Sequence, residues 1–416
     1  MMHQTLFYII VGILIVDYIL DQWLNYLNAT HRNVKLPKEL TGIYNKEKYR
    51  QSQEYEKANH RFSVVTSTVN LLILLGFLFL SGFAWVDEIA RSVTSNSVLT
   101  ALVFFGIIMF ASDIINTPFS IYDTFVIEEK FGFNKTTPGL FVTDKLKSWF
   151  IMAVLGGGLL ALIIWFYQQT GPVFWIYGWL AVSLFMIFMT MFYTSLLLPL
   201  FNKLRPLEDG ELKKQITQFC EKVDFRLENV YIMDGSKRSS KANAFFSGLG
   251  KKKKIVLFDT LIDKLSPEEI VAVLAHEIGH YKKKHTFMAV FASILQTGIT
   301  FYILSLFINN PVLSRALGAH EASFHLGLVA FGFLYSPIST LTGLFMNRVS
   351  RKNEYAADRF AALHFDGRLL QDALKNLSVN NLSNLTPHPV YVFVHYSHPP
   401  LLKRLQFIEQ VNRKLL

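Results

Sequence analysis

The sequence predicts a multi-pass α-helical membrane protein that also carries a polar α+β domain. Apolar residues make up 51% of the 416 residues and charged residues only 17%, whereas soluble proteins are about one quarter charged. The apolar residues are collected in long stretches, and nearly all basic residues lie in alternate connections between those stretches. These three observations together predict the fold class.

Seven stretches are long and apolar enough to cross a bilayer core of about 30 Å. They are residues 5–26, 64–86, 98–119, 149–167, 173–201, 286–308 and 324–346. The first stretch has no basic segment before it and no small-residue cleavage site, so we interpret it as a retained span and not as a signal peptide. The sequence therefore predicts seven transmembrane helices.

The charge distribution predicts the orientation of these helices. Of the 41 lysines and arginines, 39 lie in the connections 27–63, 120–148, 202–285 and 347–416, and only Arg91 and Arg315 lie on the other side. Because basic residues mark the cytosolic side, we expect the N-terminus outside or in a lumen and the C-terminus in the cytosol. The net charge of +10 is thus explained by the membrane topology. Membrane lipid is an expected partner, and nucleic acid is not.

The same spans divide the chain into four regions. Residues 1–201 hold helices one to five with their cytosolic loops, and residues 286–346 hold helices six and seven. Residues 202–285 and 347–416 remain as polar segments, which form either one split domain or two; we call them together the polar domain. Periodicity predicts helices at 211–223 and 266–285 and strands at 228–234, 243–247 and 254–260.

The polar domain contains the sequence HEIGH, which predicts a zinc site. Ser266, Pro267 and Glu269 are typical of a helix N-terminus, so the motif is expected on a helix. There His276 and His280 share one face and can bind one Zn²⁺, while Glu277 can remove a proton from water. A chance HExxH is expected on the order of 0.01 times in a chain of this composition. The single cysteine excludes a cysteine-based zinc site.

A catalytic zinc commonly has a third protein ligand, and the segment NRVSRKNEYAADRFA supplies a candidate. Glu354 and Asp358 are four residues apart on a predicted helix, so Glu354 can complete the site while Asp358 orients a ligand histidine. The alternative is surface pairing of these carboxylates with Arg351 or Arg359. The presence of HEIGH favours the ligand interpretation for Glu354.

Several segments in a fixed order are typical of one enzyme family. They are FVIEEKFGFNKTT at 125–137, PLFNKLRPLEDGELK at 199–213, GSKRSSKANAFFSGLGKKKKIVLFDTLI at 235–262, HEIGH, SRKNEYAADRFA at 350–361 and HYSHPPLLKRL at 395–405. Two of them, FVIEEKFGFN and SHPPLLKRL, are much more specific than HExxH, and together the segments cover most of the chain. In these segments the chain resembles the type I CAAX prenyl proteases, which are membrane zinc endopeptidases.

The resemblance implies seven helices that form a barrel around a chamber, capped by a cytosolic zincin-type protease domain. It implies one Zn²⁺ per chain, held by His276, His280 and Glu354, and places the catalytic role on Glu277. It further implies that Asn243, His398 and Arg404 contact the substrate or the transition state. The implied substrate is the C-terminus of a prenylated CAAX protein or a related membrane-associated peptide.

Two alternatives stay open at the level of sequence. One is an HtpX-like stress-response membrane protease, which shares HExxH and a downstream glutamate but has fewer spans. The other is a membrane transporter or scaffold with a structural zinc, suggested by polar residues inside the apolar stretches. The compartment is expected to be either a bacterial inner membrane or the endoplasmic reticulum membrane, and the sequence does not select an oligomeric state.

Overall fold

The computed structural model describes residues 1–33, 36, 40–225, 229–248 and 254–414. Most of these residues are helical. The α-helices are α1 Met2–Thr30, α2 Lys46–Phe79, α3 Gly82–Val93, α4 Ser97–Tyr122, α5 Pro138–Ile151, α6 Gly157–Thr170, α7 Phe174–Leu196, α8 Leu198–Phe201, α9 Glu211–Lys222, α10 Asp259–Ile262, α11 Pro267–Lys282, α12 His285–Phe307, α13 Pro311–Ala316, α14 Phe324–His364, α15 Gly367–Asn380, α16 Pro389–His395 and α17 Leu401–Arg413.

Six helical stretches among the described residues are long and apolar enough to cross a membrane. They confirm a multi-pass helical membrane protein. One stretch, 138–201, contains two of the predicted spans, 149–167 and 173–201, with a 3₁₀ turn at Gly171–Val173 between them. The presence of seven transmembrane helices stays a prediction, because length and composition identify 138–201 as a single candidate span.

Polar groups inside the apolar helices pair with one another. Ser336 donates to Asp17 at 2.5 Å, and the Asn70 amide donates to Asn116 at 3.2 Å. Asp113 is bound by Lys145 Nζ at 2.7 Å. Pairing of this kind offsets the cost of placing a polar group at membrane depth.

The polar domain contains a mixed sheet, whose described strands are β1 Leu204–Pro206, β2 Asn229–Met233, β3 Ala244–Ser247 and β4 Lys254–Phe258. Their order is β1-β2-β4-β3, with β2 and β4 parallel and the outer pairs antiparallel. The successive residues Ile255, Val256 and Leu257 are all buried, as expected for a strand covered on both faces. The strand predictions hold within two residues at the described ends; residue 228 lies outside the described part of the chain.

The two polar segments share one hydrophobic core. Leu261 and Ile270 from the first segment are in one buried cluster with Ala361, Leu370 and Ile408 from the second. Helix α14 runs without interruption from the membrane stretch into this core, since it covers 41 residues. One split domain is therefore present, carried on a helix that begins among the apolar spans.

Candidate metal centre

Helix α11 presents the HEIGH motif, and its N-terminus has the predicted cap. The Ser266 side chain accepts from the Glu269 amide, and the Glu269 carboxylate accepts from the Ser266 amide. This capping box fixes where the helix begins and therefore which residues share a face. Nε2 of His276 and Nε2 of His280 lie 3.1 Å apart on that face.

The third predicted ligand is held by α14, which packs closely against α11. A Cβ on Gly279 would lie 3.1 Å from the Ala357 Cα and 3.0 Å from the Phe360 Cβ. Because Gly279 has no side chain, the two helices approach closely enough for Glu354 to reach both histidines. The glycine in HEIGH thus has a packing role that the zinc motif alone does not explain.

The three side chains form a compact triangle of donor atoms. Glu354 Oε2 lies 3.4 Å from His276 Nε2, and Glu354 Oε1 lies 3.2 Å from His280 Nε2. Ligands about 2.0–2.1 Å from a tetrahedral Zn²⁺ stand roughly 3.3 Å apart, so the triangle fits this ion. Glu354 Oε2 is also buried without a hydrogen-bond partner among the described residues, which a bound cation would satisfy.

Behind the triangle, Asp358 and Arg404 support His276. Asp358 is fully buried, its Oδ1 lies 2.9 Å from His276 Nδ1, and Arg404 binds both of its oxygens, at 2.5 and 2.9 Å. Burial and the Arg404 charge lower the pKa of His276, but the contacts to Asp358 and Glu354 outweigh them and raise it to about 9. Burial also lowers the pKa of Arg404, yet the adjacent carboxylates keep it above its usual value.

His280 is contacted by another histidine, in the way that Asp358 contacts His276, and the sequence did not predict this contact. Nδ1 of His285 lies 3.0 Å from Nδ1 of His280, on the side of the ring away from the triangle. The spacing of residues in the sequence indicated no partner for His285, and the structure places it against this candidate ligand.

The triangle opens onto a cleft of 530 Å³, lined by Glu277, Asn243, His398 and Arg404 among others. Nε2 of His398 lies 3.3 Å from Glu354 Oε1, and the side chain is 64% exposed. Asn243 is exposed directly before β3, an edge strand of the described sheet. All eight residues singled out from the sequence are therefore gathered at one place, although their individual roles stay predictions.

Comparison with known families agrees with this architecture. Residues 25–203 match the CAAX prenyl protease N-terminal family, described as five membrane helices, and residues 206–412 match peptidase family M48. The chain belongs to peptidase family M48. It is a membrane metalloendopeptidase, so the transporter or scaffold alternative is excluded. The match over 25–203 also favours the CAAX type over the HtpX-like alternative.

Full-length relatives support the assignment to this M48 family. The chain is 36% identical to CAAX prenyl protease 1 homolog of Arabidopsis thaliana, covering 97% of this chain and 98% of the relative. It is 33% identical to CAAX prenyl protease 1 of Saccharomyces cerevisiae, with 98% and 96% covered. The crystal structure of S. mikatae Ste24p is similar at a TM-score of 0.92 and 34% identity, over 97% of this chain and 98% of that one.

Proposed function

We propose that this M48 peptidase is zinc-dependent and removes the C-terminal tripeptide of prenylated CAAX proteins or cleaves related membrane-associated peptides. The observation that carries the proposal is the triangle of His276, His280 and Glu354, which opens beside Glu277 onto the cleft. The names of the relatives support the substrate class. Two imidazoles and one carboxylate are a common ligand set for catalytic Zn²⁺.

The chain's own residues have distinct tasks in hydrolysis. A metal bound by the triangle supplies Lewis-acid activation of the peptide carbonyl and of water. Glu277 accepts the proton of the attacking water and passes it to the leaving amine. His398, exposed at the mouth of the site, and Arg404 stabilise negative charge on the carbonyl oxygen. Asp358 fixes the orientation of His276 and of Arg404 at once.

The edge strand β3 supplies the binding surface for the peptide. β3 pairs with β4 on one side only in the described sheet, which leaves backbone groups on its other side for an added strand. Asn243 immediately precedes β3 and lines the cleft, so its amide can bind the substrate backbone. A peptide lying along β3 therefore passes the metal triangle.

We further propose the topology that places this site. Seven spans with the N-terminus outside or in a lumen put both polar segments, 202–285 and 347–416, in the cytosol beside the membrane lipid. The helical spans 1–201 and 286–346 then surround the apolar space next to the cleft. A lipid-modified peptide approaches such a site from the membrane, and the endoplasmic reticulum or a bacterial inner membrane fits this arrangement.

The test is proteolysis of a farnesylated CAAX peptide by the purified protein in detergent. We expect cleavage that a zinc chelator abolishes and that added Zn²⁺ restores. Glu277→Gln should keep stoichiometric zinc and lose cleavage, whereas His276→Ala should lose both. Glu268→Gln, on the same helix but outside the cleft lining, is the control. Wild-type cleavage by either active-site variant would contradict the residue roles.

A further inference from the structure

The segment FVIEEKFGFN, which the catalytic scheme leaves without a role, contacts the chain just before β3. Glu128 ends a π-helical turn, Asp123–Glu128, that follows α4. Its Oε2 lies 2.8 Å from Lys241 Nζ, and Tyr55 from α2 donates its hydroxyl to the other carboxylate oxygen. Lys241 Nζ also donates to the Tyr55 hydroxyl at 2.9 Å and lies 4.4 Å from the Phe133 ring centre. Side chains from the N-terminal helical region thus bind Lys241, which belongs to the polar domain.

The backbone around this lysine is held by direct hydrogen bonds as well. The Lys135 amide donates to Arg238 O, and the Ser240 amide donates to Phe133 O, both at 3.0 Å. Thr260 donates its hydroxyl to Lys241 O at 2.9 Å. The loop 129–136 and the segment 238–241 are therefore fixed to each other before β3 begins.

The next residue, Ala242, is held from the opposite side by a single amide. The Ala242 amide donates to Asn381 Oδ1 at 3.2 Å, and Asn381 Nδ2 donates to Ala242 O at 3.3 Å. An amide side chain bound to both the N–H and the C=O of one residue fixes the position and the orientation of the backbone there. Asn381 belongs to the second polar segment, next to α15.

These contacts end where the proposed peptide-binding edge begins. Asn243 follows Ala242 and is exposed in the cleft. Since an extended chain advances about 3.3 Å per residue, Lys241 and Asn243 are only about 7 Å apart along the backbone. A shift of Lys241 therefore moves the start of β3 relative to the metal triangle. The position of β3 matters because a peptide bond is cleaved only when it lies in a narrow range of positions.

We propose that Lys241, held by Glu128 and Tyr55, and Asn381 are positioning residues that set the register of the bound peptide against β3. The inference rests on the proposed function. The side chains of Lys241 and Glu128 are 35% and 19% exposed, and in a pair of this burial the desolvation cost offsets much of the attraction. The main effect of the pair is therefore geometric.

The experiment measures peptide binding apart from cleavage. In a Glu277→Gln background, Lys241→Met, Glu128→Gln and Asn381→Leu should each weaken binding of a labelled farnesylated CAAX peptide about tenfold, while zinc content stays at one per chain. In the active enzyme, the same substitutions should raise KM and also lower kcat, because a peptide bound in the wrong register holds its scissile bond away from the productive position. Lys375→Met removes an exposed ion pair with Asp372 and is the matched control, with unchanged binding and KM.

A reversed pair separates positioning from loss of charge. Glu128→Lys combined with Lys241→Glu should recover most of the lost peptide affinity, because the link between the two segments is restored. Unchanged binding in all three single variants, or loss of zinc in step with loss of binding, would overturn the inference. Absence of cleavage by the wild-type protein would instead overturn the proposed function.

Discussion

The two histidines of HEIGH are supported by chemically different partners. His276 Nδ1 faces the Asp358 carboxylate, while His280 Nδ1 faces the imidazole of His285. A carboxylate makes a ligand imidazole more basic, whereas a neutral acceptor mainly fixes its tautomer and ring orientation. In the proposed metal centre, His276 is therefore the more strongly polarised ligand, and His280 is held by hydrogen-bond direction.

We predict that His285→Ala lowers zinc affinity about 10- to 100-fold, which is the usual effect of removing such an outer partner. Competition with a chromophoric chelator measures this affinity directly, without reference to turnover. His364→Ala is the control, because the exposed His364 hydrogen-bonds to Phe360 O and stacks on the Phe360 ring within its own helix. Equal zinc affinity in His285→Ala and wild type would show that the contact does not support His280.

A second prediction concerns Cys220, which is buried in the polar-domain core. Burial raises the pKa of its thiol from 9.0 to about 12, so the folded protein holds almost no thiolate at pH 8, whereas the unfolded chain is roughly one tenth ionised. We expect no alkylation by iodoacetamide in the native state and complete alkylation in denaturant. Because ionisation favours the unfolded chain, the free energy of unfolding should fall as the pH rises above 9. Rapid native labelling would contradict this burial.

At this scale the sequence predicted the three side chains that form the triangle, but not the contact between His285 and His280. On a continuous helix, a residue five positions after His280 points well away from it. The helix ends at Lys282, and Lys284 adopts a left-handed conformation with φ of 59°, which turns α12 so that His285 comes back to His280. A lysine gives no sequence signal for that conformation, so spacing alone could not predict the contact.

At the level of elements, the packing of α11 on α14 builds the metal triangle. Gly279 faces Ala357 and Phe360 across this contact, and Ala357 is fully buried. Dense packing of this kind tolerates an added methyl poorly, with a usual cost of about 1–3 kcal/mol. The distance between the two helices also determines whether Glu354 can share an ion with the histidines.

We predict that Gly279→Ala destabilises the polar domain by about 1–3 kcal/mol and lowers zinc content, because α14 must move away from α11. Thermal unfolding and metal analysis of the purified variant measure both effects. Gly332→Ala lies in α14, where a Cβ would meet nothing within 4 Å, so it should match the wild type or slightly exceed it. A fully zinc-loaded, equally stable Gly279→Ala protein would contradict the close-approach argument.

Individual elements were predicted well where the signal is local. The capping box at Ser266 placed α11, and the short apolar runs of β3 and β4 placed these two strands, within a few residues of their observed ends. The order β1-β2-β4-β3 and the pairing of 238–241 with 129–136 join residues distant in sequence. No periodicity encodes such long-range contacts, so the fixed position of β3 could be read only from the structure.

For the whole molecule, the decisive region is the apolar stretch 138–201. Gly171 has a φ of 55°, and the 3₁₀ turn Gly171–Val173 separates α6 from α7. Across that turn the Phe166 ring stacks on Tyr177 at 5.4 Å, and Tyr167 meets Phe174 edge to face at 5.3 Å. The 23 residues of α7 extend about 35 Å. Helices α6 and α7 therefore fold back on each other, and the helical segment on each side of the turn is long enough to cross a membrane. This arrangement favours two crossings within 138–201.

The number of crossings decides on which side of the membrane the metal site lies. If 138–201 crosses the membrane twice, residues 202–285 lie in the cytosol. If it crosses once, this segment, with HEIGH and its many lysines and arginines, lies outside, which contradicts the positive-inside rule. We predict that, in microsomes, a glycosylation acceptor inserted at 207–210 stays unmodified, whereas one on an N-terminal extension and one at 317–322 are glycosylated. A modified acceptor at 207–210 would mean a single crossing. An unmodified site at 317–322 would instead contradict the proposal that α12 and α14 both cross the membrane, with the connection between them on the outer side.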